Sequence, residues 1–143
     1  KTQAVPVLFD SIDQASDYVL SIEPDVFRLM EKHWPGALTI VLNANLPKVP
    51  ALVRGGGKTI GIRIPNHEAA LEVIRGVGVP ILGPSANFHN DPTPFSLRDL
   101  DKDLISKADF VLKGKTKLKK PSTVIDCTVF PFRVLRFGAL MDI

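Results

Sequence analysis

Val79-Pro80-Ile81-Leu82-Gly83-Pro84-Ser85-Ala86-Asn87 is a short apolar run, stopped by a Gly-Pro pair and followed by a hydroxyl and an amide at alternate positions. An apolar run of this length bounded by such a turn reads as an inner strand of an α/β sheet, over residues 79–82. Ser85 and Asn87 then fall just past the C-terminal end of that strand, the edge at which open α/β sheets bind ligands. Segments 59–66 and 122–126 have the same character, each joining an apolar strand pattern to polar side chains.

Working outward, residues 59–64 alternate cleanly. Ile60, Ile62 and Ile64 point one way, and Thr59, Gly61 and Arg63 point the other. The second face offers a hydroxyl, a gap and a guanidinium, a notch that suits a carboxylate or phosphate. The plainer alternative is an edge strand whose polar face meets water. Upstream, residues 5–9 read as a strand, and Ser11-Ile12-Asp13-Gln14 as a capping box opening a helix with Ile12, Ala15 and Val19 on its apolar stripe. Pro24 starts a second helix that runs to about His33. Residues 37–42 form a strand with Leu38, Ile40 and Leu42 on one face.

Further along, Asn66 is expected to cap a helix over 67–75, with Gly76 and Gly78 ending it. Ser96 opens another helix that turns Leu97, Leu100 and Leu104 inward. Strands are expected at 110–112, 123–127 and 132–137. The last two are separated by only a short turn, so they pair antiparallel and the sheet is mixed. The glycines 55–57 read as an ordinary flexible loop, since their spacing matches neither a P-loop nor a dinucleotide fingerprint. The expectation is one α/β domain over residues 1–143: a twisted, mixed parallel/antiparallel sheet with flanking helices.

Composition narrows the function classes. With 45% hydrophobic and 23% charged residues over 143 positions, the chain can bury a core without disulfide or metal support. No apolar run approaches the roughly 18 residues of a membrane span, and residues 1–9 lack a signal-peptide pattern. No membrane association is expected. The single Cys127 excludes an internal disulfide and suits a reducing cytoplasm. His33, His67 and His89 are scattered, without metal-site spacing. The net charge of +3 is concentrated in the alternating run Lys113, Lys115, Lys117, Lys119 and Lys120. That run reads as a solvated loop, or else as a cover over a phosphate-bearing ligand or a weak RNA contact.

The candidate chemistry lies in hydroxyls, amides and guanidiniums: Ser85, Asn87, Ser122 and the Thr59/Arg63 face. Arg136 is the lone charge of the apolar stretch Val134-Leu135-Arg136-Phe137-Gly138. Turn-forming roles account equally well for Ser85 and Asn87, and strand initiation for Ser122. Nothing forms a Ser-His-Asp set, a paired-carboxylate site or a metal cage. Such an inventory works by positioning and charge neutralisation.

Four ordered blocks then resemble those of a known family. Trp34-Pro35-Gly36-Ala37-Leu38-Thr39, Ile60-Gly61-Ile62-Arg63-Ile64-Pro65, Gly83-Pro84-Ser85-Ala86-Asn87 and Pro121-Ser122-Thr123-Val124-Ile125-Asp126 resemble the signature blocks of the YrdC-like threonylcarbamoyl-AMP synthases. The resemblance implies a YrdC-like fold and an ATP-dependent enzyme that joins L-threonine and bicarbonate to AMP, releasing pyrophosphate. Mg2+ would accompany ATP. The product would serve threonylcarbamoyladenosine formation in tRNA, through a downstream tRNA-modifying transferase complex in the cytoplasm. Carried over, the family's nucleotide contacts fall on Thr59, Ser85, Asn87, Thr93 and Arg136, and its threonine contacts on Arg63 and Ser122. No metal ligand and no catalytic side chain is assigned. The family's N-terminal segment, with a Lys-x-Arg element, is expected to be missing from residues 1–143. A non-catalytic nucleotide- or RNA-binding module, and a carbamoyl-transfer relative, are the alternative readings.

Overall fold

The computed structural model describes residues 3–88, 91–112, 114 and 118–143. Six strands form one mixed sheet: β1 (Val7–Leu8), β2 (Leu38–Asn43), β3 (Thr59–Arg63), β4 (Ile81–Leu82), β5 (Thr123–Asp126) and β6 (Arg133–Arg136). Their order across the sheet is β4-β1-β3-β2-β5-β6. The β1/β3 and β2/β5 pairs are parallel, whereas β1/β4, β2/β3 and β5/β6 are antiparallel. The mixed α/β architecture read from the sequence is therefore the one observed.

Alternation along the central strands decides which face is covered. Leu38, Ile40 and Leu42 of β2 are buried together with Ile60 and Ile62 of β3, Ile64 just beyond it, and Ile125 of β5. Onto this face pack α1 (Ile12–Ser16), α2 (Pro24–His33) and α3 (Glu68–Val77), through Ala15, Val26, Met30 and Leu71. Three helices on one face leave the intervening positions, Thr39, Gly61, Arg63 and Val124, on the other. The Ser11 hydroxyl caps α1 by accepting from the Gln14 N–H at 3.2 Å. The Gln14 side chain accepts in turn from the Asp10 N–H at 3.1 Å.

Four expectations need correction. The run at 79–82, expected as an inner strand, is the two-residue edge strand β4, paired with β1 on one side only among the described residues. The cap of α3 is His67, whose imidazole accepts from the Ala70 N–H, and not Asn66. That helix passes through Gly76 and stops at Gly78, whose φ of 74° a side-chain-bearing residue rarely adopts. The segment after Ser96 makes a single 3-10 turn (Leu97–Asp99) and a short helix, α4 (Lys102–Ser106), neither with a buried residue. The Asp101 carboxylate, accepting from the Asp103 and Leu104 N–H groups, caps α4, and Leu97 is exposed. Residues 110–112 form no strand, since no neighbouring strand offers them a ladder, and Phe110 and Leu112 face solvent. Among the described residues no helix is long and apolar enough to cross a membrane.

Candidate functional site

A cavity of about 370 Å³ opens on the sheet face opposite the helices. Arg63, Ser85, Thr93, Ser122 and Arg136, distant in sequence, all line it. Chain direction explains how they meet. β2 and β3 are antiparallel with Ile40 opposite Ile62, so Thr39 near the start of β2 lies beside Arg63 at the end of β3. β5 is parallel to β2, which brings Ser122 to the Thr39 end. β6 returns antiparallel with Arg136 opposite Val124. Ser122 and Thr39 thus enter from strand beginnings, so the C-terminal-edge rule does not describe this site. A mixed sheet puts strand starts and strand ends side by side. Ser85 arrives from the other flank, where the Gly83 N–H donates to the Pro6 carbonyl at 2.8 Å. A Cβ at Gly83 would lie 2.7 Å from Leu8 Cγ, so any side chain there would force Leu8 to shift.

The two guanidiniums are held by backbone carbonyls. Arg63 Nε donates to the Gly36 carbonyl at 2.7 Å, and the Gly36 N–H donates to the Ile64 carbonyl at 2.9 Å, a reciprocal clamp between β3 and the turn before β2. Trp34 fixes that turn from beneath, its indole N–H donating to the Leu38 carbonyl at 2.7 Å. Arg136 donates from Nη2 and Nε to the Ser122 carbonyl at 2.8 and 3.2 Å, and from Nη2 to the Ser122 hydroxyl at 3.2 Å. Burial, and secondarily the Arg136 charge, lowers the Arg63 pKa from the usual arginine value. Among the described residues no carboxylate lies within ion-pair reach of either guanidinium.

The lining therefore combines two guanidiniums with the hydroxyls of Thr39, Ser85, Thr93 and Ser122, and includes no acid, histidine or cysteine among the described residues. Unpaired cations facing hydroxyl donors make an anion receptor. They do not make a metal site: no group of three potential ligand side chains occurs among the described residues. A carboxylate-free lining also does not fit a protein-held Mg2+.

Two of the candidate residues lie elsewhere. Thr59 shares the Arg63 face but sits at the opposite end of β3, paired with Asn43, and is not among the cavity-lining residues. The notch between them is filled. A Cβ on Gly61 would meet Thr39 Cγ2 at 3.4 Å and Pro6 Cα at 3.9 Å. Asn87 is also outside the lining. Its Nδ2 donates to the Phe88 and Asp91 carbonyls at 3.0 and 2.9 Å, closing the loop that carries Ser85, while its buried Oδ1 has no partner among the described residues. Lys113, Lys115 and Lys117 of the basic run, and His89, lie outside the described residues. Lys119 and Lys120 are exposed.

Sequence reasoning missed Thr39 as a site residue. It is buried on the cavity face, with Oγ1 2.9 Å from Ser122 Oγ. The signal was a lone hydroxyl at the alternate position of Leu38-Thr39-Ile40-Val41-Leu42. Burial and then the Asp126 charge push the Cys127 thiol up to about 12, which disfavours its thiolate.

Comparison with known proteins adds to this geometry. The chain is 37% identical over 134 residues to the threonylcarbamoyl-AMP synthase of Pyrococcus abyssi, covering 91% of this chain and 38% of that protein. It is 39% identical over 100 residues to the Bacillus subtilis enzyme of the same name, covering 69% and 29%. The chain thus spans well under half the length of these two relatives. The crystal structure of P. abyssi Sua5 complexed with L-threonine superposes with a TM-score of 0.91 at 34% identity, covering 97% of this chain and 41% of that one. Escherichia coli YciO superposes with a TM-score of 0.79 at 25% identity, covering 96% and 67%. The family model for Sua5, YciO and YrdC, described as "Telomere recombination", matches residues 1–138, and the chain belongs to this family.

Proposed function

We propose that this domain makes L-threonylcarbamoyl-AMP from L-threonine, bicarbonate and ATP. One observation carries the reading: two guanidiniums, Arg63 half-buried and Arg136 exposed, share with four hydroxyl side chains a cavity whose described lining holds no carboxylate. Such a cavity suits an amino acid's carboxylate beside a polyphosphate. The names of the relatives, and the L-threonine bound in one of them, supply the substrate class.

In this reading Arg63 and Ser122 hold the threonine carboxylate, while Ser85, Thr93 and Arg136 hold the nucleotide. Asn87 serves the nucleotide indirectly, by keeping the Ser85 loop closed. Thr59, at the far end of β3, would reach ATP only from outside the cavity described above. The reacting oxygen belongs to the carbamate formed when the threonine amine bonds to the bicarbonate carbon, a C–O bond breaks and water leaves. It attacks the α-phosphorus of ATP; a P–O bond forms, the bond to the β-phosphate bridging oxygen breaks, and pyrophosphate leaves with the electron pair. Phosphoryl transfer of this type asks the protein mainly for alignment and charge neutralisation, which fixed guanidiniums provide. Any Mg2+ would be carried in on the phosphates. The product would pass to the tRNA-modifying machinery of the cytoplasm.

The test is pyrophosphate release by the full-length protein. Release is expected only when ATP, L-threonine and bicarbonate are all present. Equal turnover with threonine omitted would overturn the assignment.

A further inference from the structure

We propose that Thr39 is a positioning residue for carboxylate binding: its hydroxyl holds Ser122 so that one O–H donor of the pair always faces the cavity. The inference rests on the functional reading above and deepens it. Both residues line the cavity where β2 and β5 run parallel, Ser122 standing just before β5; Thr39 Oγ1 is 2.9 Å from Ser122 Oγ, and both residues are buried.

Proton counting leads to the role. A hydroxyl has one proton and two acceptor sites, while a guanidinium only donates. Arg136 Nη2, 3.2 Å from Ser122 Oγ, takes one Ser122 acceptor site. The hydrogen bond between the hydroxyls uses one of their two protons, whichever oxygen donates. One proton is left over, and the cavity is where it can point. When an anion enters between Arg63 and Arg136, it selects the arrangement in which Thr39 donates to Ser122 and Ser122 donates to the anion. Each bond in such a chain polarises the next.

Thr39 also has a packing role, and the two can be separated. Its methyl, Cγ2, is the atom that would meet a Cβ on Gly61, at 3.4 Å. Thr39→Val keeps the branched shape and removes the hydroxyl. Thr39→Ser keeps the hydroxyl and removes the methyl. A purely structural residue would tolerate valine better than serine, whereas a positioning hydroxyl requires the reverse order.

The experiment is calorimetric titration of the full-length protein with L-threonine, and separately with ATP, for the wild type, Thr39→Val, Thr39→Ser, Ser122→Ala and the Thr39→Val/Ser122→Ala double variant. Thr39→Val is expected to weaken L-threonine binding about two- to tenfold, the range of one net hydrogen bond. Thr39→Ser should stay within about twofold of wild type, on the low side of that same range. ATP affinity should be unchanged in both. The double variant should be no weaker than Ser122→Ala alone, because the Thr39 hydroxyl acts through Ser122. Wild-type affinity in Thr39→Val, a larger loss in Thr39→Ser, or additive losses in the double variant would each overturn the positioning role and leave the proposed function standing. A wild-type protein that binds ATP but no L-threonine would remove the functional reading, and the inference with it.

Discussion

Arg63 is anchored at one nitrogen of its guanidinium. Its Nε is committed to the Gly36 carbonyl, so the terminal nitrogens are what remain for an anion in the cavity. Burial and the neighbouring Arg136 both penalise its charge, and an incoming carboxylate would relieve that penalty. Arg63→Ala should therefore cost about 1.5–3 kcal/mol in threonine use, the range for a charge-assisted contact. That appears as roughly a ten- to hundredfold fall in kcat/KM for threonine, with ATP affinity nearly unchanged. Arg63→Lys should recover less than half of this loss, because an ammonium on a flexible stem cannot serve the carbonyl and the cavity in one rigid fork. Steady-state kinetics with threonine as the varied substrate decides both. Recovery by lysine would mean that charge alone matters. The alternation of 59–64 made the Arg63 face legible, because a period of two is a local property. The filled notch was not legible, since it is Pro6 and Thr39, far away in sequence, that cover Gly61.

At the scale of elements, the β5/β6 hairpin supports one wall of the cavity. Its far end is tied by Asp126, which accepts from Thr128 Oγ1 at 2.6 Å, from the Thr128 N–H at 3.0 Å and from Arg133 Nη2 at 3.1 Å. Burial alone would raise this carboxyl. The Thr128 bonds and the Arg133 charge outweigh it, and its pKa lies below the ordinary value. A carboxylate depressed in the folded state stabilises above its unfolded pKa, about 3.9, and loses that contribution as pH falls through the lower folded value. Asp126→Asn should thus cost about 1–2 kcal/mol at pH 7. The gap from wild type should close below about pH 4, measured by urea unfolding across pH. A gap independent of pH would show that shape, and not charge, secures the turn. The near end depends on Gly138, where a Cβ would fall 2.3 Å from the Pro121 carbonyl oxygen and 2.5 Å from the Ser122 carbonyl carbon. Gly138→Ala must push back the backbone that carries Ser122, so an overpacking cost of about 1–3 kcal/mol should be accompanied by weaker threonine binding. Stability lost with threonine affinity intact would show that the segment yields elsewhere. The antiparallel pairing of β5 and β6 was legible from the short turn between them. The strand expected at 110–112 failed because an apolar run needs a neighbour, and none is in the local sequence.

At the scale of the molecule, what the sequence made legible and what it hid follow from contact range. Alternating isoleucines, the Ser11 capping box and Pro24 at a helix start act within a few residues, and each was read correctly. The convergence of Arg63, Ser85, Ser122 and Arg136 depends on strand order, and the family resemblance, not periodicity, pointed to it, while Thr39 went unassigned. That same dispersal has a thermodynamic consequence. The cavity draws on residues 3–8, β2, β3, the loop after β4, the residues just before β5, and β6, spanning positions 3 to 136, so an unfolded chain cannot assemble it. A ligand that binds only the folded form adds its binding free energy to stability, about 2.7 kcal/mol at a hundred times its dissociation constant. For a domain of this size each kcal/mol raises Tm by a few degrees, so L-threonine at that excess should shift Tm upward by roughly 5–10 °C. The shift should fall to about half or less in Arg63→Ala, since a ten- to hundredfold weaker affinity leaves about 0.4–1.4 kcal/mol at the same ligand concentration. Thermal unfolding of both proteins, with and without L-threonine, gives the answer. An equal shift in Arg63→Ala would place the threonine outside this cavity, because stabilisation by mass action follows the site that binds and no other.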